Sequence, residues 1–389
     1  MHKLLLPLFC AFALLFGCGG LRSTGDAERL TSKRKTSFDH FGTACFAVVF
    51  DDFGSPAAEA RFEAAWKEIY DMLTRLEKSV SVDLSGSDIH RFNRAKPGER
   101  VAVNEITAEI TALAIEMHRL TNGAYNPAVA NLVDLWGFSP RFRRNGAAGM
   151  PYDRARNADG SFDLPDPRYV RAFRALSDFS GVELSGNEAG GYFLVKTADE
   201  LEVDGVSYSL QLDFGGIAKG WGADKAAEIL KKHGYEYGYV NLGLSSLKLL
   251  KRNVADQGVP RANMWAVGLL NPVTRTENYL SVFGKDIGVS TSGGYDASYK
   301  LAGREYSHII DPATGEPTAG EIASAIVVGE KAGSADALTT AICVMGKEKA
   351  REFMNGRLKG YRAAFLARRG DDLELVTNMT GEEYSLNRP

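Results

Sequence analysis

The chain has 389 residues, with 46 Lys and Arg against 49 Asp and Glu and a net charge of −3 with neutral histidines. So weak a balance excludes a dominant nucleic-acid surface. The length exceeds that of one small domain and predicts one large domain or two intimate ones.

At the start, Lys3 precedes an apolar run from Leu4 to Phe16. The run is shorter than the roughly 20 residues that span a bilayer, so it reads as the core of a secretory signal peptide. It ends in Leu15-Phe16-Gly17-Cys18, which is similar to the lipobox of bacterial lipoproteins. That similarity implies a signal over residues 1–17, cleavage before Cys18, a lipid on Cys18, and a protein anchored to a bacterial membrane outside the cytoplasm. Secretion with a cut elsewhere, or an uncleaved anchor, is the other reading. Leu21 to about Thr36 is polar and without period, which predicts a tether over 18–36 and a folded body over 37–389. Cys10 leaves with the signal, while Cys45 and Cys343 lie in apolar surroundings and read as buried thiols.

Further along, Phe46–Phe50 (FAVVF) reads as a strand. Ser55-Pro56 opens a helix on which Phe62, Trp66, Ile69, Tyr70, Leu73 and Leu76 recur at helical spacing. A second helix is predicted from about Thr107 to Leu120, with Gly123 after its end. Residues 139–166 mix Pro, Gly and charge without period and read as a surface insertion or lid. A helix follows over about Ala218–His233, then strands at Tyr237–Leu242, Met264–Leu270, Tyr279–Phe283 and Ile322–Val328. Ser334 is the predicted cap of a helix that stops at Gly346, and one more helix and strands near Ala363–Arg368 and Leu373–Val376 close the chain. The class is α+β, with mixed sheets flanked by helices.

Chemistry concentrates in four stretches. In DFGGIAKG, from Asp213, the Gly215-Gly216 pair permits close approach of backbone to a ligand, and Lys219 can neutralise phosphate where a helix begins. The spacing fits neither the P-loop nor the dinucleotide fingerprint, and a solvated lysine on a Gly-rich turn serves as well. In STSGGY, Ser290 to Tyr295, hydroxyls and glycines can donate to phosphate or carbonyl oxygens, as they do in many ordinary turns. In YSHIIDPATGEP, His308 can take a proton near neutral pH and Asp311, three residues on, can orient it; a structural histidine before an apolar pair is the plainer reading. In SADALTT, Asp336 and Thr340 stand one helical turn apart on one face, a hard-oxygen pair of the kind Mg²⁺ accepts when substrate phosphates complete its shell. Asp336 could equally serve the helix dipole alone.

Taken in order, these stretches resemble the ApbE family, the FAD:protein FMN transferases. The resemblance also covers FGT at Phe41–Thr43, SDIHRFN at Ser87–Asn93, the segment from Tyr125-Asn126-Pro127-Ala128 to Leu135-Trp136-Gly137-Phe138, and NLG at Asn241–Gly243. It implies a T-fold-like body of two subdomains and a Mg²⁺-dependent enzyme. Such an enzyme splits FAD, joins FMN through a phosphoester to a Ser or Thr of an acceptor protein, and releases AMP. By the same resemblance Phe41, Asn126, Ala128, Asp213, Lys219, Thr291, Ser292 and Gly293 would contact FAD. Gly216 through its carbonyl, Asp336 and Thr340 would hold Mg²⁺, and His308 with Asp311 would serve proton transfer. The acceptor would be a redox-pump or exported reductase subunit. Three positions depart from the family pattern: Phe41 replaces a common Met, Ser81-Val82-Asp83-Leu84 replaces an aromatic that packs on FAD, and Leu244-Ser245-Ser246 replaces Gly-Asp after NLG. Two other readings stay open: hydrolysis of FAD to FMN and AMP at the same site, and a lipoprotein that binds FAD without chemistry.

Overall fold

A computed structural model of the chain describes residues 30–139, 164–255, 261, 263–294, 297–301, 304–370 and 372–387. The expected signal, Cys18, most of the expected tether and nearly all of the 139–166 insertion lie outside the described residues.

Runs such as FAVVF build the central sheet. Its eight strands are β1 (Thr31–Ser37), β2 (Cys45–Asp51), β3 (Gly238–Leu242), β4 (Ser246–Leu250), β5 (Gly288–Gly293), β6 (Ile322–Gly329), β7 (Arg362–Arg369) and β8 (Asp372–Thr377). Their order across the sheet is their order along the chain, and every neighbouring pair is antiparallel. The α+β class holds, while the sheets are not mixed in strand direction among the described residues. Each strand turns back beside its predecessor, whereas a parallel pair needs a crossover.

Side chains alternate between two cores. Cys45, Ala47 and Val49 of β2 face the helices, and Phe46, Val48 and Phe50 face a small sheet that supplies Trp265, Val267, Leu280 and Val282. Burial on both faces explains why this strand reads as an unbroken apolar run. Both Cys45 and Cys343 are buried free thiols, and burial pushes the Cys45 thiol up to about 11.

β1 corrects the expected tether. Thr31 to Ser37 pairs along its whole length with β2, so residues 31–36 belong to the folded body. The strand carries no apolar alternation because it lies at the sheet edge, where Lys33 and Lys35 reach Glu59 and Glu63. Charged edges of this kind oppose pairing with a further strand.

The helices are α1 (Pro56–Val80), α2 (Asp88–Arg94), α3 (Glu105–Leu120), α4 (Ala130–Leu135), α5 (Pro167–Ala175), α6 (Ala218–Lys232), α7 (Ala332–Met345) and α8 (Lys347–Gly356). Ser55 caps α1 as predicted, accepting from the Ala58 amide at 3.2 Å. Ser334 does not cap α7, which begins two residues earlier at Ala332. The cap comes from α6: Asp224 accepts from the Ala332 and Gly333 amides at 3.0 and 2.9 Å. Burial holds the Asp224 carboxyl above its ordinary range, opposed by those two amides. One side chain thus locks the start of α7 to the middle of α6.

A third core joins α4 and α5 to the segment carrying His308. Leu132, Leu135, Trp136, Tyr169 and Phe173 pack with Tyr306 and Ile310. Trp136 stacks on Tyr306 with ring centroids 5.6 Å apart and donates its indole N–H to the Gly315 carbonyl at 2.8 Å. The WGF and HIIDPATG motifs are therefore two halves of one packing unit.

Candidate active site

The site forms where α6 crosses α7. A Cβ on Gly220 would stand 2.2 Å from the Ala332 carbonyl oxygen and 2.8 Å from Asp336 Cβ, so only glycine allows this approach. The closeness carries Asp336 onto the first turn of α6, where the Gly220 amide donates to Asp336 Oδ2 at 3.0 Å. That amide lies in the first turn of α6, which starts at Ala218, and so has no acceptor within the helix. The next amide, Trp221, returns to the regular pattern and bonds to Ile217 at 3.0 Å. Asp336 therefore satisfies an amide that the helix itself leaves open, and the Gly216 carbonyl, before the cap position at Ile217, lies outside the helical ladder.

From β5, Ser290 Oγ donates to Asp336 Oδ1 at 2.9 Å. Thr340 follows one turn later on α7, with Oγ1 3.4 Å from the Asp336 carbonyl. A Cβ on Gly216 would stand 3.2 Å from Thr340 Oγ1 and 3.5 Å from Tyr125 Cε2. Gly216, Asp336 and Thr340 thus converge as expected. No group of three His, Cys, Asp or Glu able to hold a metal occurs among the described residues. A hard-oxygen set of one carboxylate, one hydroxyl and one carbonyl fits Mg²⁺, which commonly binds through one or two carboxylates with substrate phosphates and water.

The DFGG loop is pinned from behind. Asn93 of SDIHRFN accepts from the Leu212 amide at 2.7 Å and donates to its carbonyl at 2.9 Å. The Asp213 amide donates to the Pro127 carbonyl at 2.8 Å, and Asp213 Oδ1 accepts from the Gly215 amide at 2.7 Å. Asp213 also lines a cleft of about 190 Å³ together with Asp83, His90, Arg94 and Asp134. Asp83, at the position that departs from the family pattern, is thereby a wall of the cleft beside the site. Lys219 folds back across Gly243 and donates to the Gly215 carbonyl at 3.0 Å, close to Thr43 of FGT. Phe41 is half-buried, with its backbone in the left-handed region at φ 54° and its amide donating to Glu77 at 3.1 Å.

The other expected contact residues have structural partners of their own. Asn126 spends its side chain on the Ala128 amide (2.8 Å) and the Ser177 carbonyl (2.7 Å). Ala128 is wholly buried. Both hold the turn that presents the Pro127 carbonyl to Asp213. STSGGY is a strand as far as Gly293 rather than a loop, and Tyr295 lies outside the described residues. Strand alternation therefore separates its members. Ser292 joins Ser290 on the helix side and donates to Thr339 Oγ1 at 2.8 Å, while Thr291 pairs with Ile326 of the second core and faces away from Asp336. Gly293, paired with Ser324, falls on that same far face.

His308 Nδ1 lies 3.2 Å from the Ala297 carbonyl and can only donate there, which places the lone pair of the neutral ring on Nε2. Asp311 Oδ1 accepts from the Ala313 amide at 2.8 Å and its carbonyl accepts from Gly315 at 2.8 Å. That carboxylate closes the Pro312–Gly315 turn that Trp136 grips, and the expected pairing of Asp311 with the His308 ring gives way to this turn. Three residues escaped the sequence reading: Ser290 as a partner of Asp336, Asp224 as the α7 cap, and Tyr125. The phenol of Tyr125 is buried, and burial first, with Asp336 and Asp213 adding, holds it well above its ordinary value.

The family model for the ApbE family matches residues 41–365. The chain belongs to the ApbE family. It is 29% identical over 346 residues to an FAD:protein FMN transferase of Treponema pallidum, a match covering 88% of this chain and 85% of the relative. It is 31% identical over 284 residues to a second protein of that name from Vibrio cholerae, covering 72% of this chain and 73% of the relative. Among solved structures, the flavin transferase ApbE from Vibrio cholerae superposes with a TM-score of 0.70 at 25% identity, covering 90% of this chain and 97% of that one. The apo flavinyl transferase ApbE of Pseudomonas stutzeri gives 0.69 at 25% identity, covering 90% and 95%. The ApbE match spans all four chemical stretches, so the crossing of α6 and α7 lies inside the shared domain.

Proposed function

We propose that this chain is a Mg²⁺-dependent transferase that moves FMN from FAD to a Ser or Thr hydroxyl of an acceptor protein and releases AMP. The observation that carries the reading is the convergence of Gly216, Asp336 and Thr340 at the start of α6, where the Gly216 carbonyl lies outside the helical ladder. Those three residues would hold the cation, which supplies charge neutralisation at the pyrophosphate. Phosphoryl transfer is chiefly positioning and electrostatic stabilisation, so little covalent chemistry is asked of the protein. Lys219 adds a cation over the glycine pair. The acceptor oxygen bonds to the FMN phosphorus as the anhydride bond to AMP breaks, and His308 Nε2 takes the acceptor's proton.

The test incubates the protein with FAD, Mg²⁺ and a Ser- or Thr-bearing acceptor of the redox-pump or exported reductase type, and measures acceptor mass. An FMN adduct on a Ser or Thr is expected. Bound FAD with no adduct on any such acceptor, or free FMN released equally fast with and without acceptor, sinks transfer. Gly216→Val places its branch against Thr340 Oγ1 and should lower transfer about 100-fold, the cost of roughly 1 Å of misplacement in such a site. Unchanged turnover and Mg²⁺ dependence in that variant would show that the loop does not hold the cation.

The apolar run ending at Cys18 supports a lipid anchor to a bacterial membrane outside the cytoplasm. In cell fractions the wild type is expected with membranes and Cys18→Ala in the soluble pool; equal partition of the two would remove the anchor.

A further inference from the structure

The crossing of α6 and α7 leaves one polar atom of its lining without a partner. Tyr125 Oη is buried and meets no hydrogen-bonding group among the described residues. Its ring edge lies against Gly216, at a point 3.5 Å from Cε2 that is also 3.2 Å from Thr340 Oγ1. The carboxylates of Asp336 and Asp213 are the charged groups that act on the phenol. The surrounding backbone is fixed: the Tyr125 amide donates to Thr121 Oγ1 at 3.0 Å, and its carbonyl receives His118 Nδ1 at 2.9 Å. The ring itself is packed in the first core, and an unmade hydrogen bond of a buried hydroxyl is a standing cost to the folded state. Asn241 Nδ2 and Ser324 Oγ are also buried and unpaired among the described residues, but Tyr125 is the one whose ring is set against Gly216 beside Thr340.

We propose that the Tyr125 hydroxyl is a positioning group of the loaded site, donating to an oxygen in the shell of the cation, either a phosphate oxygen of the dinucleotide or a water. This rests on the cation reading given above. A neutral phenol carries one proton to donate, and what a divalent cation brings to Gly216, Asp336 and Thr340 is a set of acceptor oxygens. The hydroxyl adds no negative charge to a place that already holds Asp336 and Asp213 and must receive a pyrophosphate.

Tyr125→Phe removes the hydroxyl and keeps the ring. Three quantities decide the matter: the thermal midpoint of the ligand-free protein, Mn²⁺ affinity by electron paramagnetic resonance, and FAD affinity with Mg²⁺ by flavin fluorescence. The ligand-free midpoint should equal or exceed that of the wild type, since an unpaired group has been deleted. FAD affinity in Mg²⁺ should fall about tenfold, the size expected for a lost hydrogen bond to a charged group. If Mn²⁺ binding without FAD weakens as well, the acceptor is a water of the cation; if only FAD binding weakens, it is a phosphate oxygen. Wild-type affinity for both ligands in Tyr125→Phe overturns the proposal while leaving the cation reading intact. A wild-type protein whose FAD affinity ignores Mg²⁺ and which binds no Mn²⁺ overturns both.

Discussion

Asp336→Asn is expected to lower FMN transfer by about 100- to 1,000-fold, the range found when a preorganised electrostatic contact to the reacting group is removed. The substitution keeps the size of the side chain but deletes the charge and turns one acceptor oxygen into a donor. In the native protein both oxygens receive protons, Oδ2 from the Gly220 amide and Oδ1 from Ser290. The amide nitrogen of Asn would face one of those donors, so one bond is lost along with the charge that, on the proposed reading, would draw the cation. Helix α7 keeps its Asp224 cap and its buried apolar residues, so folding should survive. The signature is a protein with near wild-type thermal midpoint whose FAD affinity no longer responds to Mg²⁺. Mg²⁺-dependent transfer within a few-fold of wild type would remove Asp336 from the site.

Gly220→Ala should be the most disruptive single methyl in the chain's helical crossings. Its Cβ would fall 2.2 Å from the Ala332 carbonyl oxygen and 2.7 Å from the Ala332 carbonyl carbon, both backbone atoms that cannot rotate aside. The helices must separate, at a cost of about 3 kcal/mol, which for a chain of this size lowers the melting midpoint by roughly 4 °C. Separation also pulls Asp336 from the Gly220 amide, so transfer should fall even at temperatures where the variant is folded. Gly222→Ala is the internal comparison. Its Cβ meets the side-chain methyls of Leu76 and Leu242 at 2.8 and 2.9 Å, which can give way by rotation. A smaller loss of stability and retained transfer are expected there. Equal effects of the two substitutions, read by thermal melting and adduct mass, would show that the backbone approach at Gly220 has no special role.

Much of the site is legible because its chemistry is local. Asp336 and Thr340 fall one turn apart on a helix whose period is visible in the sequence, and the Gly215-Gly216 pair with Lys219 marks the start of another. Strand β2 and helix α1 are likewise local facts, an unbroken apolar run and a Ser-Pro start with a 3.6-residue period. The misreadings share one cause. Residues 31–36 pair as an edge strand through backbone groups alone, and their lysines carry no apolar signal. STSGGY looks like a loop by composition, yet its backbone is claimed by β4 and β6, and alternation then sends Thr291 away from Asp336. Asp311 sits beside His308 in sequence but is used by the next turn.

The sequence by itself determined which residue types are present, their spacing within each helix or strand, and, through the motifs in order, the ApbE family to which the chain belongs. Tertiary structure alone decided how those pieces meet. The Gly220 amide reaches a carboxylate 116 residues away, Ser290 reaches it from 46 residues away, and Asp224 caps a helix 108 residues on. Periodicity and capping rules describe neighbours within about one turn of chain. A helix-start amide satisfied by a distant carboxylate leaves no such trace, because the contact exists only once the sheet and the α6–α7 crossing have formed.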